Sequence, residues 1–404
     1  MGGFFKQEEL RLLWPFYLDS LLSPMLFFVP AFLIVYFRNL EFSLFQISLL
    51  IMMIPLCMLL FEIPTGVFAD LYGRKLSVLL GTFIEGIFLF LIFFTHNFYT
   101  ITLLFLGMGI GGTFISGAKE AWVADLLKKK SLLHNYFVKS RSFDSLGLVI
   151  SGIVGAFLVK IFGLPVIWIV GGLSYTITFI ILLIPKEHFT KKKTQFSYND
   201  FKKQTSKSIK YIKNHKSLCL FLIALSLVAF AGIFSGDMAW VTLLQDLEFP
   251  EYGFGYLWSG ISALGIIAPY ASVFFMKKSK EIQFLLAMLF FTIFSLFFVF
   301  FAITIILALI IFLVSFFFMQ MAVPVERTFF HKIVISKTRA TIGSVERVLI
   351  GGMGLLGMPL AGLSIDIFGP KITIFFSALF LIPVVFLYYR IRNATTLKKV
   401  IATA

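Results

Sequence analysis

The amino-acid sequence predicts an all-α polytopic membrane protein with twelve transmembrane helices in two six-helix halves. The 404 residues are 59% hydrophobic and only 14% charged, and they include 53 phenylalanines. A soluble protein of this length cannot bury so much apolar surface. Apolar runs of about 20 residues, the length that crosses the hydrocarbon core, follow one another almost from end to end. Helices satisfy every backbone hydrogen bond within such a segment, so helices are the structure that lipid permits here.

Twelve spans are predicted from these runs. They cover residues 12–37, 43–69, 76–95, 98–126, 136–160, 163–185, 217–246, 254–276, 282–300, 302–325, 340–365 and 370–390. With the N-terminus inside, the outer loops hold three basic residues, Arg38, Lys160 and Lys371, and nearly all the others face the cytoplasm. This asymmetry predicts a multi-pass protein of the cytoplasmic membrane with both termini in the cytoplasm. The net charge of +15 is then a topology signal and requires no nucleic-acid partner.

One long polar stretch, residues 186–216, divides the chain. Its second part, from Tyr198 to Lys216, has apolar residues near helical spacing with lysines between them, which predicts a helix on the inner membrane surface. The predicted organisation is an N-terminal six-helix half (1–185), a cytoplasmic linker (186–216) and a C-terminal six-helix half (217–404).

The two halves share a weak repeat at an offset of 206 residues. The matching positions are Glu120 with Glu326, Arg141 with Arg347, and Ile161-Phe162-Gly163 with Ile367-Phe368-Gly369. An in-register repeat is what two parallel six-span halves should show.

A charged motif lies between the second and third spans: Gly66-Val67-Phe68-Ala69-Asp70-Leu71-Tyr72-Gly73-Arg74-Lys75. Gly66 allows close helix approach or a bend, and Gly73 permits a tight turn. The charges of Asp70, Arg74 and Lys75 belong at the water interface, because lipid excludes them. The pattern G-x-x-x-D-x-x-G-R-K resembles the loop signature of the major facilitator superfamily.

That resemblance implies the major facilitator fold, with a central cavity and alternating access. It also implies that the motif braces a gate between the halves. The expected gate residues are Gly66, Asp70, Gly73, Arg74 and Lys75, together with Glu346 and Arg347 at the start of the eleventh span.

Ionisable residues inside the spans are candidates for proton coupling or substrate binding, because each costs roughly 2.5–3.5 kcal/mol to insert. The candidates, with neighbouring tryptophans, are Asp19, Glu62, Lys119, Glu120, Trp122, Asp237 and Trp240. The resemblance adds weight to Asp19, since the first helix lines the cavity in this superfamily. Lys119 and Glu120 point about 100° apart on a helix, so one of them should pair with another helix. Asp237 could instead cap exposed backbone, and Arg141 and Asp144 could simply neutralise each other.

The sequence shows no catalytic, cofactor or metal motif. Cys57 and Cys219 fall in separate apolar runs, and the five histidines lack ligand spacing. A Gly-x-x-x-x-Gly-Lys-Ser/Thr loop is missing from the whole chain, so ATP is not the expected driver. We therefore expect neither an enzyme nor a bound cofactor or metal.

Two further stretches, Ser116-Gly117-Ala118-Lys119-Glu120-Ala121-Trp122-Val123-Ala124-Asp125 and Arg339-Ala340-Thr341-Ile342-Gly343-Ser344, are similar to stretches of bacterial drug exporters in that superfamily. This implies proton-coupled export of amphipathic or cationic small molecules, with protons, substrate and membrane lipid as partners and a monomer as the expected state. The fifth span has Gly147, Gly152 and Gly155 but lacks the proline of the antiporter signature. Uptake of a sugar, peptide, nucleoside or siderophore-like solute therefore stays open. The second half lacks the loop motif, which also leaves open a non-transporting receptor or assembly factor.

Overall fold

The computed structural model describes residues 7–127, 130–187, 212, 214–276, 280–334 and 339–403. They belong to two compact units. The first unit is Met1–Thr194 with Pro250–Ala263, and the second is Gln195–Phe249 with Leu264–Ala404. The predicted surface helix from Tyr198 to Lys216 falls almost entirely outside the described residues.

All regular structure in these ranges is helical. The helices of the first unit are α1 (Gln7–Leu26), α2 (Val29–Asn39), α3 (Leu44–Tyr72), α4 (Arg74–Ile92), α5 (Phe98–Ile115), α6 (Ala118–Leu126), α7 (Lys130–Phe162) and α8 (Val166–Leu183). Those that follow are α9 (Lys216–Phe234), α10 (Asp237–Asp246), α11 (Gly253–Phe275), α12 (Glu281–Phe297), α13 (Ile305–Ile333) and α14 (Arg339–Thr403). A short 3₁₀ turn, Phe298–Phe301, extends α12.

The prediction of twelve spans is confirmed for the described part of the chain. Eleven helical stretches are long and apolar enough to cross a membrane. The last of them, Ile342–Asn393, contains two helices joined at Gly369, whose backbone is not helical. The first, fourth and seventh spans are each built from two consecutive helices, α1–α2, α5–α6 and α9–α10.

The start of the second span illustrates how local sequence sets these boundaries. The Ser43 hydroxyl accepts a hydrogen bond from the Gln46 amide (3.1 Å), and the Gln46 side chain accepts one from the Ser43 amide (3.0 Å). This reciprocal capping box satisfies two amides at the beginning of α3.

The fourth span is interrupted between α5 and α6, where Gly117 has a φ of +69°. Two carbonyl groups at the end of α5 accept hydrogen bonds from neighbouring helices instead of from the next turn. The Thr65 hydroxyl of α3 donates to the Thr113 carbonyl (3.0 Å), and the Ser77 hydroxyl of α4 donates to the Phe114 carbonyl (2.7 Å). Such side-chain donors make an interrupted helix tolerable at membrane depth.

The predicted repeat is confirmed at its glycine match. Gly163 ends the fifth span with a φ of +77°, and Gly369 ends the eleventh with a φ of +80°. Glycine adopts this left-handed region with the least strain, so both halves place a glycine with positive φ at the same position of the repeat. Helix packing repeats as well: the third span packs against the fourth and sixth, and the ninth packs against the tenth and α14.

Candidate coupling and substrate site

The loop motif binds its own unit through Glu187, which follows the sixth span. Gly73 has a φ of +111°, and a Cβ built there would lie 2.9 Å from the Glu187 carboxylate. That carboxylate accepts hydrogen bonds from the backbone amides of Arg74 (2.6 Å) and Lys75 (3.1 Å). An acidic group at a helix N-terminus satisfies unpaired amides and interacts favourably with the helix dipole. The tight turn predicted at Gly73 is confirmed, and the turn also makes room for Glu187.

The side chains of the same motif extend this network to the fourth and sixth spans. The Arg74 guanidinium donates to the Ala121 carbonyl (2.6 Å) and forms an ion pair with Asp125. The Lys75 ammonium donates to the carbonyls of Leu183 (2.6 Å) and Pro185 (2.8 Å) at the end of α8. Arg74 and Lys75 therefore hold three spans of the first unit together at one end.

The other two gate candidates of the motif lie differently. Asp70 and Gly66 are exposed. A Cβ built at Gly66 would have no described atom within 4 Å. The role of these residues in a gate stays a prediction.

A buried ion pair joins the first and fourth spans. The Asp19 carboxylate on α1 accepts a hydrogen bond from the Lys119 ammonium on α6. The Asp19 side chain has no exposed surface, whereas that of Lys119 is 29% exposed. The second carboxylate oxygen of Asp19 has no hydrogen-bond partner among the described residues. The expectation that Lys119 or Glu120 pairs with another helix is confirmed, and Lys119 is the one that does.

Polar side chains of the fifth span border this ion pair. The Ser140 hydroxyl lies 2.6 Å from the Ser20 hydroxyl of α1. Asp144 lies within electrostatic range of both members of the pair and of Arg141, and Tyr136 lies within range of both members. Asp144 therefore interacts with Asp19 and Lys119 as well as with Arg141. Arg141 and Asp144 do not form an isolated pair on their own helix.

Trp122 belongs to the packing that fixes α6 against the first span. Its ring meets Phe16 edge to face at 5.0 Å between centroids, and both side chains are fully buried. The Lys75 ammonium lies 6.0 Å from the Trp122 ring centroid, at the limit of a cation–π contact. Because Lys119 and Trp122 are one turn apart on α6, this packing also directs Lys119 towards Asp19.

The remaining site candidates lie outside this cluster. Glu62 and Glu120 are exposed, and Asp237 is an exposed residue in the first turn of α10. Trp240 is buried against Phe312, with ring centroids 5.1 Å apart. The structure thus brings together Asp19, Lys119 and Trp122, and it does not bring the other candidates to them.

A second set of charged residues lies in the second unit, between the tenth and eleventh spans. Arg327 donates to the buried carboxylate of Glu346 at 2.7 Å. Its neighbour Glu326 accepts a hydrogen bond from the Tyr388 hydroxyl at 3.3 Å. Arg347, a gate candidate, is exposed and donates to the Ser344 hydroxyl at 3.2 Å.

Sequence reasoning missed Glu187 and Tyr388, and it did not select Glu326 as a site residue. For Glu187 a signal existed, since α4 begins with Arg74 and Lys75 and offers no acidic side chain to its own first amides. Tyr388 is one of 13 tyrosines and carries no local signal of its own.

The sequence matches the family model of the Major Facilitator Superfamily over residues 20–345. With most of the chain matched and twelve helical spans described, this protein belongs to the major facilitator superfamily of multi-pass membrane transporters.

Two curated relatives are transporters of the same superfamily. MJ1560 of Methanocaldococcus jannaschii, an uncharacterized transporter, is 23% identical over 56% of this chain and 58% of its own length. YxaM of Bacillus subtilis, also uncharacterized, is 25% identical over 62% of this chain and 63% of its own. The chain thus spans less than two thirds of either relative.

Solved structures share the fold at low identity. A bacterial homologue of the human lysosomal transporter Spinster, in an inward-facing and unoccupied state, superimposes with a TM-score of 0.73, 14% identity and coverage of 96% of this chain and 98% of that one. The nucleoside transporter NupG gives a TM-score of 0.76, 14% identity and coverage of 93% and 99%. A POT family transporter in complex with a thioalcohol-conjugated peptide gives 0.71, 13% identity and coverage of 94% and 95%. At this identity the likeness concerns the fold alone.

Proposed function

We propose that this transporter is a proton-coupled exporter of amphipathic or cationic small molecules of the cytoplasmic membrane, with Asp19 and Lys119 as its coupling pair. The observation that carries the proposal is the fully buried Asp19 carboxylate, which has one oxygen paired with Lys119 and the other without a partner. A buried carboxylate is stable either as a paired anion or as a neutral acid. In this proposal, Asp19 alternates between these two states during transport.

Coupling follows if the two states favour different conformations. A proton on Asp19 releases the Lys119 ammonium, which is partly exposed and can then be solvated or bind elsewhere. Since Asp19 lies on the first span and Lys119 on the fourth, loss of the ion pair weakens the contact between these helices. A ligand that biases the same equilibrium is then linked to the proton by thermodynamic reciprocity.

Uptake is the second candidate, because NupG is described as a nucleoside transporter and another neighbour as bound to a peptide conjugate. Those substrates belong to proteins about one seventh identical in sequence, so they supply solutes to test and no assignment. Export and uptake predict opposite directions of solute movement for the same imposed proton gradient.

The test is solute-dependent proton flux in proteoliposomes that contain the purified full-length chain. Cationic, neutral and acidic solutes, a nucleoside and a dipeptide are added against an imposed pH gradient, and radiolabelled solute gives the direction. Asp19→Asn preserves the size of the side chain and removes the exchangeable proton. Glu120→Gln is the matched variant at the exposed carboxylate next to Lys119.

We expect the wild type to move cationic solute in the direction opposite to proton flow. Asp19→Asn should lose this coupled movement. Passive counterflow of labelled against unlabelled solute should persist in Asp19→Asn, since it requires no proton. Loss of coupled movement in Glu120→Gln alone would assign the coupling to Glu120 instead. An absence of flux with every solute would favour a receptor or assembly role, and inward accumulation of solute would favour uptake.

A further inference from the structure

A partly open cavity of about 280 Å³ in the second unit is lined by residues of α9, α13 and α14. Most of its wall is apolar and includes Leu225, Val228 and Met319. The polar part of the wall consists of Glu326, Arg327 and Glu346. The cavity is therefore mainly apolar, and its formal charges come from α13 and α14 alone.

The charges of that wall do not cancel. Arg327 is the counter-ion of the buried Glu346, with a nitrogen-to-oxygen distance of 2.7 Å. Glu326 is left with the Tyr388 hydroxyl, a neutral donor at 3.3 Å. When Glu326 is ionised, two carboxylates against one guanidinium give the cavity an excess of one negative charge. In an apolar environment such a charge is stabilised chiefly by a cation placed beside it.

Glu326 also borders a neighbouring, smaller apolar cavity of about 100 Å³, whose wall includes Tyr388. The carboxylate therefore lines space in both cavities, and the Tyr388 hydroxyl is its hydrogen-bond donor.

We propose that the larger cavity binds a compact monovalent organic cation, with Glu326 as its counter-ion and the Arg327–Glu346 pair as a fixed part of the wall. This inference rests on the proposed function and specifies its substrate class. The ligand has one amine-type charge, because the wall has one unbalanced carboxylate. It has a small apolar body, because the rest of the wall consists of aliphatic and aromatic side chains. A divalent cation is disfavoured, since Arg327 faces the same cavity.

The test is equilibrium binding to the purified full-length chain in lipid nanodiscs with no ion gradient. The probes are phenethylammonium and phenethyl alcohol, which have nearly the same shape and differ in charge. Titration calorimetry of each probe is corrected by titration of empty nanodiscs, which removes partition into lipid.

The wild type should bind phenethylammonium at least about tenfold more tightly than phenethyl alcohol, as expected for a charge-assisted contact. Glu326→Gln should lose that preference and leave the affinity for the alcohol unchanged. Glu326→Asp retains the charge and should retain most of the preference. The thermal midpoint and the elution profile of each variant establish that it is folded.

Equal affinity of wild type for both probes would overturn the inference, and this comparison depends on no variant. Retention of the full preference in folded Glu326→Gln would overturn it as well. Asp19→Asn separates the two proposals: it should abolish proton coupling, and it should retain the preference for phenethylammonium over phenethyl alcohol even where both affinities shift together. If coupling is lost and the preference persists, both proposals stand. If the wild type transports a neutral solute and shows no preference between the two probes, only the cation site fails.

Discussion

The two units each carry a cluster of charged side chains, and the clusters differ in their balance. In the first unit two carboxylates, Asp19 and Asp144, face two cations, Lys119 and Arg141. In the second, Glu326 and Glu346 face Arg327, with no other cation paired with them among the described residues. A balanced cluster changes state when a proton or ligand displaces one partner, whereas an unbalanced cluster attracts a cation. This difference is the reason for assigning the proton to one unit and the substrate charge to the other.

The internal repeat shows how this difference arises on one scaffold. At the offset of 206 residues, Lys119 corresponds to Val325, Asp144 to Ile350, Glu120 to Glu326 and Ser140 to Glu346. On the fourth span Lys119 has a partner on another helix, and on the tenth the residues with such partners are Glu326 and Arg327, one and two positions further along. Adjacent positions on a helix face directions about 100° apart. Equivalent positions in the two halves therefore have different surroundings, and their roles have to be assigned from contacts.

Removal of Lys119 is the strongest test of the contrast between the two clusters. Lys119→Met leaves Asp19 buried with no counter-ion, and we expect a loss of about 3–5 kcal/mol in the free energy of unfolding, the usual cost of breaking a buried pair. The double variant Asp19→Asn/Lys119→Met should recover most of that loss, because no buried charge is left unpaired. Thermal unfolding in mixed micelles measures both. A double variant as unstable as the single one would contradict a buried ion pair.

The corresponding change in the second unit should cost less. Arg327→Met removes the counter-ion of Glu346, but the Arg327 side chain is 58% exposed and solvent already screens it. We expect a loss of about 2 kcal/mol, set mainly by the buried carboxylate left without its charged donor. The same unfolding measurement applies, and Glu346→Gln in the Arg327→Met background should restore stability. A loss as large as that of Lys119→Met would remove the proposed contrast between the clusters.

Substitution of Gly163 and Gly369 tests whether both halves depend on a glycine at the matched position. Gly163→Ala and Gly369→Ala should each cost about 1–2 kcal/mol, because a Cβ is strained at positive φ. Both sites have room for the methyl group, so the two losses should be nearly equal. Gly66→Ala is the control: it lies inside α3 with open space around it, and alanine there should be neutral or slightly stabilising. Unequal losses at Gly163 and Gly369 would show that only one of the turns is under strain.

The smallest expected effect concerns Glu187. Glu187→Gln keeps one acceptor oxygen and removes the negative charge at the start of α4, which should cost about 1 kcal/mol. Lys186→Gln, at the exposed preceding residue, should change stability by less than about 0.5 kcal/mol. Differential scanning fluorimetry at low ionic strength resolves the two. An equal effect of both variants would mean that the contact with Arg74 and Lys75 contributes nothing.

Features that depend on local composition were predictable from the sequence. The spans follow from the cost of exposing apolar residues to water and charges to lipid, and that cost also singled out Asp19 and Lys119. The turn at Gly73 and the matched glycines at Gly163 and Gly369 required only the conformational freedom of glycine. Membership of the major facilitator superfamily rested on the loop motif, and the family match confirms it.

Features that depend on helix rotation were not predictable. The sequence alone did not choose between Lys119 and Glu120, because the interruption at Gly117 sets how α6 is turned towards the first span. The partner of Glu326 is Tyr388, on a helix 62 residues further along the chain, and no spacing rule connects them. Trp122 and Trp240, expected at a cavity, are buried in helix packing, because their large rings also fill space between helices.

The contact made by Glu187 has a practical consequence for work with separated halves. A two-fragment version of the protein divided after Glu187 retains the carboxylate in the same fragment as the Arg74 and Lys75 amides. A version divided two residues earlier, at the boundary that hydropathy indicates, places Glu187 in the other fragment. The amides at the start of the third span then have no acceptor within their own fragment. Co-expression of the fragments should therefore yield more assembled protein for the later division, although the two designs differ by only a few residues.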